Sequence, residues 1–303
     1  MSTAIKSVKA TVNGVEYTLT YNSSTGAYEA SVTAPTTTSW NLADHVYPVS
    51  VTAEDIAGNT ATVDSTDATL GNSLKLRVRE TVKPIVSILS PTSGAALTSG
   101  TPTFKVKVTD PDSGIDISTL VFKVDGTQIA ASKYTSTAIT GGYEITYTPE
   151  SAIADGSHTV TAAVKDNDGN SSETASVTFT IDTVPPTLTI SSPEDNFYTN
   201  STACVVSGTT NDETSAPVTL TVNGKPVSVS LDGSFSTTVT LKEGENTITI
   251  VATDSAGKST TITRKVTLNT SAPEFESVTL TPNPVDAGKT YKISVKVTSK
   301  LSV

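Results

Sequence analysis

The chain has 303 residues, of which 17% are charged, and its formal net charge at pH 7 is −10. This length allows two or three domains of about 100 residues, and the acidic balance argues against nucleic-acid binding because phosphates would be repelled. No stretch approaches the roughly 20 apolar residues of a membrane span, no signal peptide is visible after Met1, and one cysteine cannot form an internal disulfide.

Apolar residues alternate at period two along most of the chain, which predicts short β-strands and no amphipathic helix. In residues 1–82, one strand ends in a hairpin turn at Asn13-Gly14. A later strand ends in an Asp-x-x-Gly turn that starts at Asp55. We expect the apolar face of these strands to comprise Val8, Ala10, Val12, Val49 and Val51. The two strands that open the later repeats have no counterpart here, so residues 1–82 are predicted to form an incomplete domain.

Residues 83–183 and 184–273 repeat the same order of blocks with nothing missing. Each range opens with a proline and a strand, continues through a second strand and an Asp-Gly or Asn-Gly hairpin, and ends with the Asp-x-x-Gly turn. Copies of this length, with turn signals every 8–12 residues, are typical of β-sandwiches. The sequence therefore predicts an all-β chain of tandem sandwich domains, and its short proline-containing linkers favour an extended array.

Residues 274–303 match the opening strand pair of the complete repeats. Their predicted apolar face comprises Val278, Leu280, Tyr291, Ile293, Val295 and Val297. An incomplete sandwich exposes its core and open strand edges, and a strand pair donated by a neighbour repairs it. We therefore hypothesise that residues 274–303 of one chain complete residues 1–82 of the next, in a head-to-tail contact. Three alternatives remain: the chain is an excerpt from a longer repeat protein, the tail closes on its own chain, or the tail docks on a different protein.

The blocks DTVPPTLTISSP, EGENTITIVATDSAGKS and TAEDIAGNT carry a family resemblance. They resemble bacterial immunoglobulin-like repeats found in surface adhesins, in accessory modules of secreted enzymes and in phage virion proteins. The order of blocks is most similar to immunoglobulin-like virion proteins of prophages from Gram-positive bacteria. The resemblance implies a non-enzymatic structural or adhesive role in a virion, associated with its tail or capsid, and so a virion or extracellular location. The alternative is part of a cell-surface adhesin or a carbohydrate-binding accessory module.

Acidic residues of the second repeat form the strongest candidate ligand set. The alternative to a ligand role is that these acidic residues are solvated turn residues, because Asp and Gly are favoured in turns for backbone reasons. In a sandwich of this kind the loops after the second and sixth strands meet at one end. Clustered carboxylates there suit Ca²⁺, which takes 6–8 oxygen ligands, and Glu80 is expected nearby. The predicted calcium ligands are Asp110, Asp112, Asp116, Asp166 and Asp168.

Two further expectations concern chemistry and partners. No catalytic triad, phosphate loop or zinc-ligand spacing is visible, so we expect no enzyme activity and no cofactor other than Ca²⁺. Trp40 lies in a polar loop, where an aromatic ring suits stacking on a sugar or a partner protein; packing over the sandwich edge is the alternative. The predicted partners are a second copy of the chain, another virion protein or a cell-surface glycan.

Overall fold

A computed structural model describes residues 4–299, so Met1 and Val303, the outer limits of the predicted domains, lie outside the described part of the chain. The regular structure of the described residues is almost entirely β-strand. Its only helical elements are short 3₁₀ turns at Ala43–His45, Gly71–Leu74 and Ala131–Lys133. None of these is long and apolar enough to cross a membrane. The predicted all-β class is therefore confirmed.

Residues 4–82 contribute six strands, all of which belong to one sheet, here called the N-terminal sheet. The strand order is β3-β2-β1-β4-β5, and β6 pairs with β4. The strands are β1 (Ile5–Val12), β2 (Val15–Asn22), β3 (Ala27–Glu29), β4 (Tyr47–Asp55), β5 (Thr60–Val63) and β6 (Lys75–Leu76). No second sheet faces this layer within the described strands of residues 4–82.

The next nine strands form two sheets, here called the central sandwich. One sheet has the order β11-β10-β14-β15-β8 and the other β12-β13-β9-β7. The strands are β7 (Ile85–Ser90), β8 (Ala96–Leu97), β9 (Phe104–Thr109), β10 (Ile115–Val124), β11 (Thr127–Gln128), β12 (Thr135–Ile139), β13 (Gly142–Tyr147), β14 (Gly156–Asp166) and β15 (Ala175–Ile181). Alternate residues of β9 and β14 point inward, as period-two patterning requires. Between the sheets lies a core built around Phe104, Phe122 and Phe179.

The C-terminal sandwich repeats this plan. Its sheets have the orders β16-β18-β21 and β17-β23-β22-β19-β20. The strands are β16 (Thr187–Ser192), β17 (Phe197–Thr199), β18 (Ala203–Asn211), β19 (Thr219–Val222), β20 (Lys225–Val227), β21 (Ser234–Thr240), β22 (Gly244–Thr253) and β23 (Ser259–Leu268). Val206, Ile248, Ile250 and Val266 are fully buried in its core. Apart from Phe235 this core is largely aliphatic, whereas several aromatic rings contact one another in the central sandwich.

The last two strands, β24 (Glu274–Thr281) and β25 (Lys292–Thr298), pair only with each other among the described residues and are here called the tail hairpin. The chain folds into two compact units. The N-terminal sheet and most of the central sandwich lie in the first, and the C-terminal sandwich and the tail hairpin lie in the second.

The predicted hairpin turns are present in all three copies. Asn13, Asp125 and Asn223 have φ angles of 48°, 49° and 50°, and a glycine with positive φ follows each. Two successive positive φ angles define the type I′ turn, whose twist matches that of the flanking strands. In the two sandwiches the side chain adds a bond across the sheet: Asp125 Oδ1 accepts from the Thr159 amide at 2.8 Å. Asn223 Oδ1 accepts from the amide of Thr249 at the same distance.

Candidate functional site

Three carboxylates converge at one end of the central sandwich. Glu80 lies in the segment that leads into β7, Asp110 directly follows β9, and Asp166 ends β14. One carboxylate oxygen from each residue lies within 4.8 Å of the other two. The chain thus brings together two of the predicted ligands, Asp110 and Asp166, and adds Glu80 from the connecting segment. We call this the central cluster.

The hydrogen bonds of the central cluster leave part of its negative charge uncompensated. Asp110 Oδ1 accepts from the amides of Asp112 and Gly114, but Asp110 Oδ2 is buried without a hydrogen-bond partner. A buried polar atom without a partner costs about 1–3 kcal/mol. Burial raises the pKa of the Glu80 carboxyl, and the neighbouring Asp166 and Asp110 raise it further. The cluster is therefore a place where added positive charge would be stabilised.

The other three predicted calcium ligands lie outside this group of three carboxylates. Asp112 is exposed, and Asp116 Oδ1 accepts from the amide and hydroxyl of Ser118. Asp168 Oδ2 accepts from Thr38 Oγ1 and from the Glu80 amide. Asp116 thus caps a local turn, and Asp168 links residues that are distant in the chain. Calcium binding by these residues stays a prediction.

A second group of three carboxylates, here called the C-terminal cluster, lies in the C-terminal sandwich. Asp182 directly follows β15, Asp212 follows β18, and Asp254 follows β22. One carboxylate oxygen from each residue again lies within 4.8 Å of the others. Asp182 is 0% exposed and Asp254 is 5% exposed. The Oδ2 atoms of both have no hydrogen-bond partner.

Sequence reasoning missed the C-terminal cluster, although the repeat contained a signal for it. Glu80 and Asp182 each lie four residues before the proline that opens the next strand, Pro84 or Pro186. The second carboxylate follows each of them by 30 residues. An alignment of the repeats that includes the linkers as well as the strands places Asp182 at the position equivalent to Glu80. In the first repeat only the third position remains, as Asp55, whose oxygens accept from the Asn59 amide and side chain.

The tail hairpin carries an apolar face that nothing in the described chain covers. Its cross-strand pairs are Phe275 with Val297, Val278 with Val295, and Leu280 with Ile293. All six side chains are between 43% and 72% exposed. Tyr291, just before β25, is also exposed. The six residues lie on one face because opposed residues in an antiparallel pair point to the same side of the sheet.

The predicted acceptor residues form a matching set on the N-terminal sheet. Ala10 pairs with Val51 and Val12 pairs with Val49 across β1 and β4, so these side chains share a face with Val8. Val8 is buried, but Val49 and Val51 are only half-buried. At the corresponding positions of the two sandwiches, the residues are fully buried: Val160, Ala162, Val164, Ile248, Ile250 and Ala252. A cavity of about 710 Å³ lies nearby, lined in part by Val46, Tyr47 and Val49.

Trp40 has one ring face occupied within its own segment. Its ring stacks on that of His45, with centroids 4.0 Å apart and planes inclined by 10°. Its side chain is half-buried. Arg77 and Arg79 line the same small cavity as Trp40 and His45. Contact with a glycan or another partner stays a prediction for this residue.

Comparison with known proteins matches two stretches of the chain to family models. Residues 84–162, within the central sandwich, match the model described as a bacterial Ig domain. Residues 186–270, in the C-terminal sandwich, match the model described as glucodextranase, domain B. Bacillopeptidase F of Bacillus subtilis (strain 168) is 32% identical over 142 residues, which are 46% of this chain and 10% of that protein. The chain thus spans about a tenth of the curated relative it matches.

Solved structures similar to the chain include the I-band fragment I67–I69 of titin. The two are 14% identical, the alignment covers 88% of each chain, and the TM-score is 0.43. The fibronectin(III)-like modules of Clostridium thermocellum CbhA are 20% identical, with a TM-score of 0.38. That alignment covers 61% of this chain and 94% of the modules.

Proposed function

Because the chain contains two tandem immunoglobulin-like β-sandwiches, we propose that it is a non-enzymatic structural protein of a phage virion whose copies join head to tail. The tail hairpin of one chain supplies the missing layer that opposes the N-terminal sheet of the next. Repeated contacts of this kind produce a filament, or a ring where the rotation closes.

The exposure of the tail hairpin is the observation that supports this proposal most strongly. In the central sandwich, strand β9 corresponds to β25, and Phe104, Val106 and Val108 are 0–1% exposed. Ile293 and Val295 of β25 are 59% and 48% exposed. Covering apolar surface stabilises by roughly 25 cal/mol per Å². A hairpin with six such side chains therefore gains substantially from a partner sheet.

Strand pairing indicates the kind of partner that fits. In the central sandwich β9 lies between β7 and β13, and in the C-terminal sandwich β18 lies between β16 and β21. Among residues 4–299, β25 has only β24 beside it, so its second edge is open for a strand. The N-terminal sheet carries a half-buried apolar face and lacks this opposing layer. Donation of the hairpin would give β25 a second neighbouring strand and would give the N-terminal sheet its opposing layer.

Light scattering after size-exclusion chromatography tests the assembly at micromolar concentration. The full chain is expected to have a mass of two or more chains, and a chain truncated after residue 273 is expected to be monomeric. Val295→Asp puts a charge on the apolar face and should also give a monomer. Ser294→Asp is the matched control on the opposite face and should assemble. A monomeric full chain overturns the proposal, whether the hairpin stays free or closes on its own molecule.

The virion role rests on the resemblance of the repeat blocks to prophage proteins and requires a separate test. Mass spectrometry of purified particles, induced from the strain that carries the gene, should find the protein at many copies per particle. Its absence from the particles removes the virion role and leaves the assembly proposal standing.

A second candidate function is that of an accessory or adhesive module of a larger secreted protein. Its support is the match of residues 186–270 to a domain of glucodextranase and the partial match to Bacillopeptidase F. Trp40 is then the residue that contacts a glycan. Binding on a glycan array that is lost in Trp40→Ala and kept in Tyr21→Ala, which removes an exposed aromatic ring from β2 of the N-terminal sheet, would favour this function over the virion role.

A further inference from the structure

Turn capping does not explain the buried, unpartnered carboxylate oxygens of the C-terminal cluster. Each of its aspartates uses Oδ1 locally: Asp182 accepts from the Val184 amide, Asp212 from those of Thr214 and Ser215, and Asp254 from that of Lys258. These bonds satisfy the turns. They leave the second oxygens of Asp182 and Asp254 buried and without partners, beside a third carboxylate.

We propose that Asp182, Asp212 and Asp254 bind a Ca²⁺ ion, and that Glu80, Asp110 and Asp166 form the equivalent site one repeat earlier. Two oxygens bound to one Ca²⁺ at about 2.4 Å lie at most about 4.8 Å apart. The three carboxylates of each cluster meet this limit. A bound cation supplies the missing partner for the buried oxygens and cancels the repulsion among the three charges.

The donor atoms select the type of ion. Every side chain in the two clusters offers oxygen, and neither cluster contains histidine or cysteine, which structural zinc sites require. Ca²⁺ accepts 6–8 oxygens in a flexible geometry, whereas Mg²⁺ demands a near-ideal octahedron at about 2.0–2.1 Å. Ser215 adds a further buried hydroxyl without a partner in the turn after Asp212. Water and backbone carbonyls supply the remaining ligands of such sites.

Recurrence of the arrangement is a second argument for a ligand. Both clusters take one carboxylate from the segment before β7 or β16, one from the residue that follows β9 or β18, and one from the Asp-x-x-Gly turn that begins at Asp166 or Asp254. A buried serine follows the middle carboxylate by three residues in both, at Ser113 and Ser215. In each repeat an ion would fasten the segment before the first strand to the sandwich into which it leads.

Calorimetric titration of the metal-free full chain with CaCl₂ tests the proposal. We expect two ions per chain. Asp254→Asn and Asp110→Asn each keep the Oδ1 acceptor of the turn and replace only the unpartnered oxygen, so each should lose one ion. Asp232→Asn is the matched control, because Asp232 caps a turn in the C-terminal sandwich outside the cluster. It should retain both ions. MgCl₂ should bind at least tenfold more weakly.

Thermal unfolding separates an ion site from a purely structural cluster. Ca²⁺ should raise the melting temperature of the full chain by several degrees relative to EDTA, and this rise should vanish in the Asp110→Asn/Asp254→Asn double variant. In EDTA the double variant should melt no lower than the unmodified chain, because it removes two unpaired buried charges. No binding at millimolar CaCl₂, or binding that both substitutions leave intact, overturns the proposal.

Discussion

Thr38 donates a hydrogen bond from its hydroxyl to Oδ2 of Asp168 over 2.5 Å, although 130 residues separate the two in the chain. Thr38 is buried in the polypeptide between β3 and β4, and Asp168 lies in the loop after β14. The same carboxylate oxygen accepts from the Glu80 amide at 3.1 Å. Asp168 therefore links both Thr38 and the backbone of Glu80 to the central sandwich.

The Thr38–Asp168 bond should contribute measurably to stability. Thr38→Val keeps the shape of the side chain and removes the donor, so we expect a loss of about 1–2 kcal/mol in the unfolding free energy of this segment. Hydrogen exchange of the Ser39 and Val78 amides, which lie beside the bond, would show the change. Thr52→Val, which breaks an exposed hydroxyl pair with Thr62, should cost less than about 0.5 kcal/mol. Equal effects would contradict this interpretation.

Phe104 should be the most costly core position of the central sandwich to truncate. It is fully buried, and its ring contacts those of Phe122, Tyr147 and Phe179. Phe104→Ala should lower the unfolding free energy by about 3–5 kcal/mol, because it leaves a cavity in addition to losing apolar burial. Urea unfolding followed by tyrosine fluorescence measures the loss. Val121→Ala, at an exposed position of β10, is the control and should change stability by less than about 0.5 kcal/mol.

Asp125 should tolerate asparagine far better than alanine. Its oxygens accept from the Thr159 amide and pair with His158 Nδ1 at 2.8 Å, and asparagine holds the equivalent turn as Asn223. Asp125→Ala loses both acceptors at a positive φ and should cost about 1–2 kcal/mol, whereas Asp125→Asn should cost less than about 0.5 kcal/mol. Chemical denaturation of the three chains provides the comparison, and an equal loss in both variants would contradict the role of the turn.

The same residue gives a pH dependence. Burial opposes the shift, but the Thr159 amide and His158 lower the pKa of Asp125 below its usual value. A lowered pKa means that the stabilisation is present above the unfolded-state value of about 3.9 and is lost as pH falls through the folded-state value. Stability of the unmodified chain should thus decline below about pH 4 more steeply than that of Asp125→Asn. Parallel acid-unfolding curves would contradict this.

Gly208 should be irreplaceable in the C-terminal sandwich. A Cβ atom there would lie 2.0 Å from the Thr189 carbonyl oxygen on β16 and 3.0 Å from the Phe235 ring. The strands must separate to admit it, so Gly208→Ala should cost roughly 3 kcal/mol or more. Ser207→Ala, at the neighbouring position, is the control and should be nearly neutral. Thermal unfolding monitored by circular dichroism distinguishes the two.

The sequence by itself determined the fold class, the repeat and the hairpin turns. These features are local: alternation at period two sets which face of a strand is buried, and Asn13-Gly14 or Asp125-Gly126 fixes a turn through backbone conformation alone. The matched apolar faces of the tail and of residues 1–82 were also visible, because strand identity follows the repeat. Their association stays a prediction, since one chain carries no information on what covers an exposed face.

Only the tertiary structure decided which carboxylates meet. Asp110, Asp112 and Asp116 look equivalent in the sequence, yet the fold directs Asp110 towards Asp166 and leaves Asp112 exposed. The C-terminal cluster joins residues from three loops that are 30 and 42 positions apart. Such convergence depends on where strand ends lie in the folded sandwich, and the burial that leaves Asp182 and Asp254 with unpartnered oxygens exists only after the sheets have packed.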